Sequence, residues 1–146
     1  MLPLPISAVR AARPNLTPLT RAVLDAVLLS HGSIGTAQAV ARRLGLGSRF
    51  KLARLLRREG LPSLHRLAEW ITVLSWVVAA EQTGASLCWM AFRSHRHPSA
   101  CYRLVKEVTG LGWEQVRERG SSWVQTQLLK LLRRIDRPAT GPRTGK

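Results

Sequence analysis

Apolar residues recur along this chain at steps of three and four, the spacing that gathers one face of an α-helix. Thr17-Pro18 opens the first such stretch, with a capping hydroxyl and then proline in the first turn. Leu19, Val23, Val27 and Leu28 form its stripe, and His31-Gly32 closes it. Ser33 or Thr36 opens a second helix with Ala37, Val40, Ala41 and Leu44 inward, broken at Gly45. Ser48 starts a third, with Leu52, Leu55 and Leu56 on the buried side and Phe50, Arg54, Arg57 and Arg58 opposite. Pro62-Ser63 begins a long helix through Leu64, Leu67, Ile71, Leu74 and Val78, ending between Glu81 and Gly84. A short helix follows over Ser86 to Phe92. Pro98 opens another, with Cys101, Leu104, Val105 and Val108 inward and Ser99, Tyr102, Arg103 and Lys106 outward. Trp113 to Arg119 is a short closing helix. Ser121-Ser122 caps a last one striped by Val124, Leu128, Leu131 and Ile135. No segment alternates with the period of two that marks a strand.

The pattern predicts an all-α fold: two helix-turn-helix subdomains joined by a long connecting helix, with an extra C-terminal helix. The expected boundaries are a flexible basic arm over 1–15, a first subdomain over 16–62 and a connecting helix over 63–83. A second subdomain over 84–120, a helix over 121–135 and a frayed tail over 136–146 complete the chain. Prolines 3, 5 and 14 argue against a helix in the arm, which carries Arg10 and Arg13. The connecting helix, about eighteen residues at about 1.5 Å rise, spans roughly 27 Å as a strut between the subdomains.

The outward faces are basic. Arg54 and Arg103 stand forty-nine positions apart, each two residues after an apolar anchor, Leu52 and Cys101. Each helix follows a short turn and ends at a glycine, Gly60 or Gly110. The whole of the 146-residue chain carries 23 Lys and Arg against 8 Asp and Glu, a formal charge of +15. Nineteen of those cations are arginine, whose planar fork matches phosphates and guanine edges. A GC-rich genome explains arginine in place of lysine, but not the shortage of acids. Such an excess self-repels and favours a polyanionic partner.

These residues resemble the tandem helix-turn-helix DNA-binding domain of the AraC/XylS family of bacterial transcription regulators. In the first unit the resemblance rests on Val40-Ala41, Leu44-Gly45, Leu52, Arg54, Arg57-Arg58 and Glu59-Gly60. In the second it rests on Pro98-Ser99-Ala100, Arg103, Lys106, Thr109-Gly110 and Arg117. It covers roughly residues 17 to 120, and the second unit departs from the family pattern at Ser94-His95, Val105 and Gly112-Trp113. The resemblance implies a sequence-specific regulator of double-stranded DNA, bacterial and nucleoid-associated in the cytoplasm. It implies base contacts by Phe50, Ala53 and Arg54, and by Ser99, Tyr102 and Arg103. Phosphate contacts fall to Ser48, Arg49, Lys51, Arg57, Arg58, Arg96, His97 and Lys106. RNA polymerase or another protein subunit is a second candidate partner. Nothing long enough for the family's sensing domain precedes residue 17, so the expectation is a stand-alone DNA-binding domain.

Other chemistry is poorly represented. No nucleophile–base pair, paired carboxylates or phosphate-cradling glycine loop stands out, so no enzymatic activity and no cofactor are expected. His95, Arg96 and His97 lack further ligands at metal-site spacing. Cys88 and Cys101 suggest a reducing compartment rather than a disulfide framework. No apolar run is long enough for a membrane span, and the first residues do not form a signal peptide. Trp70, Trp76, Trp89, Trp113 and Trp123 fall near apolar stripes and are expected in a core or interface. Three further readings compete: the recognition subunit of a mobile-element or phage complex, a protein adaptor that has lost DNA reading, and non-specific RNA or nucleoid binding.

Overall fold

A computed structural model describes residues 4–134. Those residues form eight α-helices and no strand: α1 (Ile6–Ala12), α2 (Pro18–Leu29), α3 (Ala37–Arg43), α4 (Arg49–Arg58), α5 (Leu64–Thr83), α6 (Leu87–Arg93), α7 (Pro98–Thr109) and α8 (Trp113–Arg133). The all-α expectation holds. The expected tail, 136–146, lies outside the described residues.

Local chemistry sets most of the helix starts. Thr17, Thr36, Ser48, Ser63 and Ser86 each accept a hydrogen bond from the backbone N–H three residues on, and His97 accepts one from Ser99. These side chains satisfy N–H groups that have no partner within the helix. Gly84 and Gly110 end α5 and α7 in the left-handed region.

Helix α5, expected as a strut, is enclosed at the centre of the molecule. Eleven of its twenty residues are buried, on nearly every side, including Trp70, Ile71, Val73, Trp76 and Val77. A helix that is apolar all round must be enclosed. It packs against α2, α6, α7 and, most extensively, α8. One continuous cluster runs from Leu4 through α5 to Leu132, so both halves of the chain share a core. Gly32, in the turn after α2, has φ of +89°, and a Cβ there would sit 2.2 Å from Thr72 Oγ1 and 2.6 Å from the Ala68 carbonyl. That close approach seats the first half on α5.

The N-terminal segment differs from expectation. The segment expected as a flexible arm contains α1, which packs on α8, with Leu4 and Val9 buried. Pro5 stands just before the helix and Pro14 after it, so neither interrupts it. Arg13, expected to be mobile, donates to the carbonyls of Glu59, Gly60 and Leu132, tying together the ends of α4 and α8. The two helices expected at 113–119 and from 121 onward both lie within α8, which is interrupted between them at the non-helical Gly120, where φ is 85° and ψ 172°. Beyond the break, Ser121 donates its N–H (2.8 Å) and hydroxyl (2.6 Å) to the Glu81 carboxylate of α5.

Candidate nucleic-acid interface

Helix α4 is fixed from behind and open in front. Leu52, Leu55 and Leu56 are buried, which turns Arg49, Phe50, Ala53, Arg54, Arg57 and Arg58 toward solvent. Phe50 is 65% exposed. The Arg49 guanidinium lies over its ring at 5.1 Å from the centroid, a cation–π contact that holds the ring outward. An exposed phenylalanine on an otherwise charged face has no folding role visible in its surroundings.

Two residues whose partners the sequence reading did not identify, Gln38 and Glu59, hold this helix in place. Gln38 of α3 accepts from the Arg49 N–H (3.1 Å) and donates to the Gly47 carbonyl (3.4 Å), bracing the turn that leads into α4. Only the spacing of a polar residue inside α3 hints at it. At the other end, the Glu59 carboxylate accepts from the Thr17 N–H (2.9 Å), the Thr17 hydroxyl (2.9 Å) and the Thr20 hydroxyl. It thereby caps α2 from the end of α4. Burial pushes the Glu59 carboxyl up, but those hydrogen bonds and the Arg13 guanidinium outweigh it, so its pKa falls below the ordinary value.

The outer residues of α4 divide between two flanks. Lys51, Arg54 and Arg58 border a shallow depression of about 350 Å³ with Leu19 and Leu46. Arg49, Phe50, Ala53 and Arg57 border a larger groove of about 740 Å³, closed on its far side by residues 61–66 and by Leu131 and Arg134. Ser48, expected on phosphate, is half-buried, and its hydroxyl oxygen accepts from the Lys51 N–H at 3.3 Å, which leaves its O–H as a donor.

Helix α7 repeats part of this arrangement. Cys101 and Val105 are buried, and Ser99, Tyr102, Arg103 and Lys106 are exposed, Tyr102 by 42%. Burial raises the Cys101 thiol pKa, against a smaller lowering effect of Arg96. Ser99 Oγ and His97 Nδ1 lie 2.7 Å apart, so these two expected nucleic-acid contacts engage each other. Arg96 lies over the Trp76 ring at 5.6 Å and borders the cleft between the two halves, with residues 32–37, Glu69, Thr72 and Leu104. Its guanidinium has a structural position as well as an exposed one.

Among the described residues, ion pairs within 4.0 Å join Arg10 to Asp25 and His65 to Glu69, and none involves α4 or α7. None of their cations is thus in a direct ion pair among the described residues. No group of three or more His, Cys, Asp or Glu among the described residues could hold a metal. No helix among them is long and apolar enough to cross a membrane. Trp70, Trp76 and Trp113 are buried, whereas Trp89 is 50% exposed and stacks under Arg93 at 4.9 Å. Compared with protein-family models, with curated proteins and with solved structures, the chain matches none.

Proposed function

We propose that this chain is a sequence-specific double-stranded DNA-binding transcription regulator, built from two helix-turn-helix units over 16–62 and 84–120. The two units read adjacent major-groove segments through α4 and α7. The observation that carries the reading is the outer face of α4: an exposed Phe50 and five cations without an acid, on a helix anchored behind by three leucines.

An α-helix fits the major groove, and its outward side chains meet base edges. Arg54 offers a bidentate fork to guanine O6 and N7, and Phe50 and Ala53 offer apolar contact to a thymine methyl. Ser48, Arg49, Lys51, Arg57 and Arg58 contact phosphates, which supply affinity and salt dependence but no choice of sequence. On α7, Ser99, Tyr102 and Arg103 contact bases, and Arg96, His97 and Lys106 contact phosphates. Helix α5, about 30 Å long at its twenty residues, is commensurate with one DNA turn of roughly 34 Å. The reading calls on no cofactor and no catalytic group.

Selection of bound fragments from random duplex DNA tests this. The expected result is a two-part site with half-sites about 10 bp apart. Enrichment of no sequence, with equal affinity for specific and scrambled duplexes, overturns it in favour of binding by charge alone.

A second reading is favoured by Trp89 and Phe92 on α6, 50% and 69% exposed. Three positions apart on α6, they form an exposed aromatic patch outside the proposed base-contact set, suited to a protein neighbour. The chain is then the DNA-recognition subunit of a larger assembly, such as a mobile-element or phage complex.

A further inference from the structure

The groove beside α4 has the character of a small-molecule site. Its volume of about 740 Å³ falls within the roughly 300–1,000 Å³ typical of such sites. Leu52, Leu56, Leu61 and Leu131 contribute apolar wall, and the exposed Phe50 ring stands at its edge. The charged side chains that border it are Arg49, Arg57, Arg66 and Arg134, with His65 beside them. No carboxylate among the described residues borders it. Among the described residues, none of those arginines lies within ion-pair distance of a carboxylate. An apolar trough rimmed by cations of one sign is complementary to a molecule with an apolar body and a single negative head.

We propose that this groove binds an amphipathic organic acid, a carboxylate or sulfonate on an aromatic body, with the head at Arg66 and Arg134 and the body against Leu131 and Phe50. Neither Arg66 nor Arg134 belongs to the proposed base or phosphate set. Phe50, Ala53 and Arg57 belong to both the groove and that set. An occupied groove therefore covers part of the α4 reading face, and ligand and duplex exclude each other. This second consequence rests on the proposed DNA reading; binding of the acid does not.

The test uses the full chain and the fluorescent probe 8-anilinonaphthalene-1-sulfonate. Its emission rises on binding, and 2-naphthoate displaces it whereas 2-naphthalenemethanol, with a similar body and no charge, does so at least about tenfold less well. Arg66→Glu, which places an acid favourably in the first turn of α5, weakens the probe at least about tenfold. Arg134→Gln weakens it severalfold, and Arg119→Glu, a charge reversal on α8 at a residue that does not border the groove, leaves it unchanged. Equal displacement by the two naphthalenes, or equal losses for Arg66→Glu and Arg119→Glu, overturns the proposal. In a separate arm, naphthoate weakens binding of the selected duplex. If the probe binds as described but no duplex does, the groove stands and the DNA reading falls; if duplex binds and naphthoate leaves it unaffected, mutual exclusion falls.

Discussion

The turn before α4 and the turn before α7 solve one geometric problem with different residues. Both close the preceding helix with the same pair of backbone bonds: Gly45 N–H to Arg42 O and Leu46 N–H to Ala41 O in the first, His95 N–H to Phe92 O and Arg96 N–H to Ala91 O in the second. Both need a left-handed residue, supplied by Gly45 (φ 72°) in one and by His95 (φ 57°) in the other. Glycine meets that requirement without strain, and histidine does not. The next position is apolar Leu46, packed on the core, in the first turn. In the second it is Arg96, whose guanidinium lies over Trp76. Helix α4 then carries five cations and no acid, whereas α7 carries Arg103 and Lys106 beside Glu107. The turn before α4 is thus less strained than the turn before α7, and α4 is the more strongly charged helix. A repeated sequence motif does not guarantee equal shares in binding.

The largest test of this contrast is structural. Glu59 braces the first unit by accepting three hydrogen bonds from the start of α2. Glu59→Ala should cost about 3 kcal/mol by denaturant unfolding at neutral pH, because charged hydrogen bonds are lost together. Its lowered pKa fixes the sign of the pH dependence. The stabilisation is fully present above the ordinary glutamate range and is lost as pH falls through the lowered native value. Glu59→Gln should therefore flatten the acid side of the stability curve; an unchanged acid slope removes Glu59 from that role.

Next is the division of base reading. Arg54→Ala should cost about 1–3 kcal/mol of duplex affinity and relax preference at one base position, with a smaller loss for Arg103→Ala. Anisotropy titrations on the selected duplex and its single-base variants measure both. Equal losses erase the asymmetry, and a uniform loss on all sequences removes Arg54 from base contact.

His95→Gly should stabilise the fold by about 0.5–1 kcal/mol, the relief of left-handed strain less the entropy of an added glycine. A fall in the thermal midpoint would show that the histidine ring contributes more than its backbone costs.

The smallest effect is in salt dependence. Arg57→Gln with Arg58→Gln should reduce the log–log salt slope of duplex binding by about 1.8, and Lys106→Gln by about 0.9. A wild-type slope near zero would eliminate the electrostatic reading altogether.

The repeating three–four spacing, the capping residues and the breaking glycines of this chain specify helices, and their starts lie close to where those signals fall. Helix identity depends on neighbours within a few positions, so a single sequence carries it. The outward placement of Phe50, Arg54, Tyr102 and Arg103 follows from the same periodicity, once Leu52 and Cys101 are taken as buried. What periodicity did not carry was partnership across the chain. Arg13 looked like part of a loose basic arm, because the carbonyls it meets belong to residues 59, 60 and 132. Glu59 looked like a motif letter, although its partners lie on α2. Helix α5 looked like a strut, because a stripe of every third or fourth residue conceals that Trp70, Val73 and Trp76 are also enclosed. Which faces of a helix are covered, and which cations lack a carboxylate, depends on elements distant in sequence. Only packing brings those elements together, so only the tertiary structure decides them.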